Sequence, residues 1–144
     1  MRIRCEMSIA KSQPTSQPVE LTFALTNAGD HPVHVLNWQT PFEGIRSAMF
    51  TITRDGSDVE YHGPMLKRGA PRKEHYLVLK PGERRETRIT LAEGWDVAPL
   101  GNYTVDYSAQ LFDVIEGTAA GPRSVDDFNP MPINCNSVTF SRVR

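Results

Sequence analysis

Long apolar runs are missing from this 144-residue chain, and so is a strong charge of either sign. No segment approaches the roughly 20 apolar residues that a membrane-spanning helix needs, so we expect no membrane insertion. The first residues, M-R-I-R-C-E-M-S-I, contain no hydrophobic signal region. That start predicts a cytoplasmic location, or a periplasmic or secreted one if a signal peptide has been removed. The formal net charge of −1 provides no overall field to attract nucleic acid, so no nucleic-acid partner is expected.

Cysteine and histidine are also scarce, with two and four residues respectively. Two cysteines do not make a disulfide framework. Cys5 lies in the first predicted strand and Cys135 begins the last one; such strands often run side by side in a sandwich, so a bridge is geometrically possible. Two buried thiols in a reducing compartment are the favoured interpretation. We expect the histidines to be solvated or to lie in turns, with no metal and no cofactor bound.

Catalytic motifs are missing as well. The chain has no H-E-x-x-H zinc motif, no G-x-S-x-G nucleophile turn, no phosphate loop and no dinucleotide fingerprint. Any two of its seventeen acidic residues can meet in the fold, but no motif marks such a pair. The sequence therefore predicts a protein that is not an enzyme.

Alternation of apolar and polar residues is what the chain does have. The stretch V-E-L-T-F-A-L-T from Val19 places Val, Leu, Phe and Leu on one face and Glu and Thr on the other. Because a strand repeats every two residues, this pattern buries one side of a sheet and exposes the other. The 11 prolines and 10 glycines fall mainly between such stretches, which excludes long helices.

The number and spacing of these stretches predict the fold class. We expect an all-β protein, a single immunoglobulin-like antiparallel β-sandwich of eight or nine strands that spans residues 1–144. Tyr103 stands after a Gly turn at the head of a late strand, as in the tyrosine corner of such sandwiches. Residues 113–134 are expected to form a functional or disordered loop. The predicted strands are 2–10, 19–26, 31–37, 48–53, 59–61, 75–79, 84–91, 102–111 and 137–143.

Two predicted loops contain residues suited to binding a protein. The aromatic loop, residues 38–44, reads W-Q-T-P-F-E-G; its aromatics either plug one end of the sandwich or contact a partner. The basic loop, residues 63–73, carries four cations beside two apolar side chains between Gly and Pro residues. It is either a solvated loop or a rigid tip that enters an acidic pocket on a partner. The candidate binding residues are Trp38, Phe42, Glu43, Met65, Leu66, Lys67 and Arg68; the remaining cations are Arg72 and Lys73.

The succession of motifs between Leu21 and Leu111 resembles a known family. The motifs are L-T-N-A-G-D, W-Q-T-P-F-E-G, M-F-T-I-T-R-D-G, Y-H-G-P-M-L-K-R-G-A-P, L-K-P-G-E and G-N-Y-T-V. In this order they are similar to the N-terminal propeptide domain of deuterolysin-like metalloendopeptidases, particularly those of the peptidyl-lysine type. In that family the propeptide precedes a zinc protease domain and keeps it latent or helps it fold. The general plan also resembles the intracellular proteinase inhibitors of bacteria, which are immunoglobulin-like sandwiches.

The resemblance implies a non-catalytic protein-binding domain, a protease inhibitor or propeptide-like chaperone that acts on a zinc metalloprotease through exposed loops. Peptidase activity is not carried over, because the zinc motif of that family is missing. Lys67 would act as a substrate mimic in the acidic pocket of a lysine-specific protease, with Trp38, Phe42 and Glu43 lining the rim.

Other functions stay open at this point. The main alternative is an interaction or adhesion module with no protease partner, a use that sandwich domains often serve. A carbohydrate-binding module ranks lower, because only Trp38, Phe42 and Trp95 are available as exposed aromatics. In each protein-binding case the chain itself is expected to be a monomer or a weak dimer.

Overall fold

Strands make up most of the regular structure in the computed structural model, which describes residues 2–117 and 124–144. Across these residues there are eleven strands and four short 3-10 turns, so the predicted all-β class is confirmed. Residues 118–123, part of the predicted loop 113–134, lie outside the described residues. No helix in the described part of the chain is long and apolar enough to cross a membrane. The strands are β1 (Ile3–Ser8), β2 (Ser12–Pro14), β3 (Glu20–Asn27), β4 (Val33–Leu36), β5 (Phe50–Arg54), β6 (Ser57–Asp58), β7 (Tyr76–Leu79), β8 (Arg84–Thr90), β9 (Gly101–Tyr107), β10 (Val114–Glu116) and β11 (Val138–Val143).

The strands form three sheets around one core. In the first sheet, β3 lies between β1 and β8 and is antiparallel to both. The second sheet has the order β2-β11-β9-β5-β6, in which only the β2–β11 pair is parallel. The third has the order β10-β4-β7 and is antiparallel throughout. Apolar side chains from all three sheets meet in a single cluster.

Strand β3 supplies the centre of that cluster. Leu21, Phe23 and Leu25 are fully buried, and Val19 just before the strand is buried with them, as the alternation predicts. The shared face explains why this stretch is a strand: in extended backbone every second side chain points to the same side.

Strand β9 is fixed at its start by the predicted tyrosine corner. Tyr103 is buried, and its hydroxyl donates a hydrogen bond of 2.7 Å to the Pro99 carbonyl. This bond back to the preceding backbone confirms the tyrosine corner expected from the sequence. Trp95 is also buried, with its ring 5.8 Å from that of Phe50 in an edge-on contact.

The pairing of β4 with β7 positions both predicted binding loops. Leu36 at the end of β4 lies opposite Tyr76 at the start of β7. Since β4 leads into residues 38–44 and β7 follows residues 63–73, this pairing brings the two loops to the same end of the domain. At the other end of the pair, the side-chain amide of the buried Asn27 donates to the carbonyls of His31 at 2.8 Å and Leu79 at 3.0 Å, which joins the end of β3 to the third sheet.

The shortest strands are those that the sequence does not predict. β2 falls in a stretch expected to be a loop, β10 falls within the predicted loop 113–134, and β6 precedes the predicted strand 59–61. Two or three residues cannot show a period of two. Their conformation depends on the strands beside them, β11 for β2 and β4 for β10.

The favoured interpretation of the cysteines, two free thiols, is wrong. Cys5 and Cys135 form a disulfide across a sequence separation of 130, with their Cα atoms 4.8 Å apart. The side chain of Asn136 holds the two segments together: it donates to the Met7 carbonyl and accepts from the Met7 amide, each at 2.8 Å. This clamp along β1 places Cys135 within the Cα range that a disulfide requires.

The expectation that the histidines are solvated or lie in turns is wrong for His34. This residue lies in β4, between cross-strand neighbours Ile115 in β10 and Val78 in β7, and only 7% of it is exposed. Side chains directly opposite one another on paired strands lie on the same face and touch, so Ile115 and Val78 flank the imidazole on both sides and reduce its contact with water. His31, before the strand, stays exposed and lies 3.2 Å from Glu116.

Candidate protein-binding site

The basic loop, residues 63–73, begins at a position where only glycine fits. The Tyr61 hydroxyl donates to the Pro64 carbonyl, and this bond holds the Tyr61 ring against the start of the loop. A Cβ atom built on Gly63 would lie 2.8 Å from that hydroxyl and 2.9 Å from a neighbouring carbonyl oxygen, closer than real Cβ contacts. The first turn of the loop is therefore packed against the body of the domain. The loop ends in the 3-10 turn Lys73–His75.

Three consecutive residues of this loop, which we call the tip, are exposed: Met65, Leu66 and Lys67. Met65 is 78% exposed, the largest value among the large hydrophobic residues that the structure describes, and Leu66 is 49% exposed. The Leu66 amide donates to the Arg46 carbonyl at 3.1 Å, so the backbone beneath the tip is attached to the domain. The tip thus combines exposed apolar side chains, a cation and a fixed backbone, as the sequence suggested for a binding loop. Its binding role stays a prediction.

Arg68 does not project with the other cations. Its guanidinium pairs with the Glu43 carboxylate, and its Cζ atom lies 5.2 Å from the centre of the Trp38 ring. The Arg68 side chain is only 24% exposed, and that of Glu43 is 7% exposed. A buried carboxylate therefore holds Arg68 inward in the free domain, and its contact with a partner stays a prediction.

The aromatic loop packs against the domain. Trp38 is 4% exposed and forms a second apolar cluster with Leu36 and Tyr76. Phe42 is partly buried, with its ring 5.9 Å from that of Phe23 in an edge-on contact. The packing alternative therefore describes Trp38 and Phe42 in the free domain, and the role of these residues and Glu43 in lining the rim of a partner contact stays a prediction.

Glu43 links the two loops to strand β9. One carboxylate oxygen pairs with Arg68, and the other accepts the Gln39 amide at 2.7 Å. Gln39 has a φ of 61°, and its carbonyl accepts the Tyr107 hydroxyl at 2.7 Å. Burial raises the pKa of Tyr107, and the nearby Glu43 carboxylate raises it further, so the phenol remains a donor.

The sequence offers no signal for Gln39 and Tyr107, which complete this network. They are 68 positions apart in the chain, and although Gln39 lies in the W-Q-T-P-F-E-G motif, nothing in that motif points to Tyr107 as its partner. A hydrogen bond over such a separation depends on how β9 and the aromatic loop pack in three dimensions.

The end of the basic loop, at Lys73, borders a small cleft. Arg72 and Lys73 are exposed, as expected for a solvated part of the loop. Lys73, His34 and Val78 help to line a cleft of about 340 Å³ on the outer face of the third sheet. In residues 2–117 and 124–144, no three His, Cys, Asp or Glu side chains converge as a metal site.

With this geometry established, comparison with known proteins identifies the domain type. A family model described as an immunoglobulin-like domain matches residues 6–116, which is most of the chain. The chain belongs to the immunoglobulin-like domain family. This result confirms the fold predicted from the strand pattern.

The similar curated proteins are proteases. The immunoglobulin-like domain is 34% identical over 94 residues to an "Extracellular protease" of Aeromonas hydrophila, covering 65% of this chain and 27% of that protein. It is 29% identical over 96 residues to "Neutral protease 2 homolog MEP3" of Coccidioides posadasii, with the same coverages of 65% and 27%. It is 27% identical over 123 residues to "Neutral protease 2 homolog MEP6" of the same fungus, covering 83% of this chain and 34% of that protein. The chain thus spans about a quarter to a third of these relatives.

The matched region explains the resemblance to protease propeptides. Residues 6–116 include the aromatic loop, the basic loop and the tip, so the candidate site belongs to the matched domain. The domain that matches is immunoglobulin-like and corresponds to a non-catalytic part of the proteases, in line with the prediction that this chain is not an enzyme. What the site can do chemically is present an apolar and cationic peptide segment on a fixed base.

Proposed function

We propose that this immunoglobulin-like domain binds a zinc metalloprotease of the deuterolysin type and restrains it, as a propeptide-like inhibitor or folding chaperone. The observation that carries the proposal is the similarity to part of several proteases, at 34% identity over 94 residues in the Aeromonas case. The zinc belongs to the partner. This domain contributes a binding surface.

The basic loop is the part of the domain best suited to such contact. The tip exposes Met65, Leu66 and Lys67 side by side, a composition that an extended substrate segment also has. Because its backbone is already attached through Leu66 and Pro64, little conformational freedom is lost when a partner binds. Lys67, exposed at the end of the tip, supplies the charge that an acidic specificity pocket selects.

The disulfide supports a location in an oxidising compartment. Bonds such as Cys5–Cys135 form and persist in oxidising compartments and are rare in the cytosol. One relative is named an extracellular protease. Both observations support a domain that acts outside the cytoplasm, in the periplasm or after secretion.

Titration of a peptidyl-lysine metalloendopeptidase with the purified domain, followed with a chromogenic substrate, tests the proposal. We expect saturable inhibition at stoichiometric amounts. Lys67→Glu should weaken inhibition more than tenfold, since a lost or reversed charge contact at a binding site costs about 2 kcal/mol or more. Lys73→Glu makes the same charge change on the same loop outside the tip and should have a much smaller effect.

Two results would count against the proposal in different ways. Unchanged inhibition by Lys67→Glu would remove the tip as the specificity element. No inhibition at a large excess of folded wild-type domain would favour an interaction or adhesion module with no protease partner.

A further inference from the structure

Lys67 lies between two attachment points that are one residue away on either side. On the N-terminal side the Leu66 amide is hydrogen-bonded to the Arg46 carbonyl at 3.1 Å. On the C-terminal side the Arg68 guanidinium is paired with Glu43. Between these points the Lys67 side chain is exposed, and no strand includes this segment. A peptide segment held this way can enter a cleft, but its two halves cannot separate freely.

The second attachment point has a rigid base. Trp38, on which Arg68 stacks, is 4% exposed, and its ring also contacts Phe128, with the two ring centres 6.0 Å apart. Both carboxylate oxygens of Glu43 are engaged, one with Arg68 and one with the Gln39 amide. A buried carboxylate that loses its cationic partner is strongly disfavoured, so Arg68 is expected to stay in place.

We propose that the Glu43–Arg68 pair is a latch that makes the tip a cleavage-resistant ligand for a protease cleft with apolar subsites followed by an acidic one. This inference rests on the proposed function. Hydrolysis beside Lys67 adds one water across the peptide bond and leaves a new carboxylate and a new amine. With Leu66 and Arg68 both attached, the new carboxylate and the new amine stay together in the cleft. The protease therefore releases the cleaved product slowly, and net cleavage of the tip is slow. Glu43 and Arg68 are positioning residues that act through Lys67.

The latch can be tested without the natural partner by digestion with trypsin, which cuts after lysine and arginine. The variant is Glu43→Gln, which keeps the shape of the side chain and removes its charge. Glu74→Gln is the matched control, because Glu74 pairs with Arg72 on the exposed part of the same loop, at 3.9 Å. The rate of cleavage after Lys67 is measured by mass spectrometry of reduced samples and divided by the rate after Lys11, a site outside the loop.

We expect Glu43→Gln to raise this ratio at least tenfold, since cleavage follows the population of the open loop. Glu74→Gln should leave it within twofold. If the ratio of cleavage after Lys67 to cleavage after Lys11 is the same in wild type and Glu43→Gln, the proposal that the Glu43–Arg68 pair restrains the tip is rejected. If Glu43→Gln lowers the melting temperature so far that the whole chain is digested, the double change Glu43→Gln and Arg68→Gln removes both charges, leaves no unpaired buried carboxylate or guanidinium, and is measured at the same bond.

Digestion by the metalloprotease separates this inference from the proposed function. We expect wild type to inhibit and remain intact, while Glu43→Gln inhibits at first and loses inhibition as the chain is cut beside Lys67. Equally lasting inhibition by both, with both intact, would reject the latch and leave the proposed function standing. Absence of inhibition by wild type would reject the proposed function, and the trypsin ratios would still decide whether the latch exists.

Discussion

The Tyr103 hydroxyl makes a single hydrogen bond that ties the start of β9 to the segment before it. Tyr103→Phe keeps the ring in the core and removes only this bond to Pro99. We expect the free energy of unfolding to fall by about 1 kcal/mol, the usual net value of one such bond. Urea denaturation measures it; an unchanged midpoint would show that the corner is held by ring packing alone.

Individual side chains also show how far the sequence predicts the site. The exposure of Met65, Leu66 and Lys67 follows from their place on a loop framed by Gly and Pro, and the structure agrees. The inward turn of Arg68 does not follow, because its partner Glu43 is 25 positions away in the chain. A cation on a loop looks the same in sequence whether it faces a partner or a buried carboxylate.

The basic loop offers a matched pair of glycines for a test of its conformation. At Gly63 a Cβ atom would lie 2.8 Å from the Tyr61 hydroxyl, whereas at Gly69 it would meet nothing within 4 Å. We expect Gly63→Ala to lower the free energy of unfolding by about 1–3 kcal/mol, as overpacking does. Thermal unfolding of both variants is the measurement, and Gly69→Ala should be neutral or slightly stabilising. Equal destabilisation by the two changes would mean that the start of the loop is not held against Tyr61.

Some strands can be predicted from their own alternation of apolar and polar residues, whereas others form only because they pair with an adjacent strand. β3 and β9 alternate over eight and seven residues, long enough for the period to be read from the sequence. β2 and β10 have three residues each, and their pairing is decided by β11 and β4. The sandwich is therefore predictable from the sequence, while the third sheet, which carries His34 in its centre, is only partly so.

Across the whole molecule, the disulfide joins two positions separated by 130 residues. In the chain-entropy account a closed loop of this length lowers the freedom of the unfolded chain, and removal of such a bond typically costs about 2–5 kcal/mol. Reduction with a thiol, or the double change Cys5→Ala and Cys135→Ala, should lower the denaturant midpoint accordingly. The clamp between Asn136 and Met7 remains in the reduced domain, so we expect it to fold at room temperature. A midpoint that does not change on reduction would contradict this account.

The same covalent ring encloses the tip. A protease that cuts once beside Lys67 opens the ring, but each of the two fragments still carries one of the bonded cysteines, Cys5 or Cys135. The nicked domain therefore keeps its mass on a non-reducing gel and separates into two bands only after reduction. A protease that cuts the tip once therefore does not release either fragment of the domain on its own. The two fragments stay joined by the disulfide until a thiol reduces it.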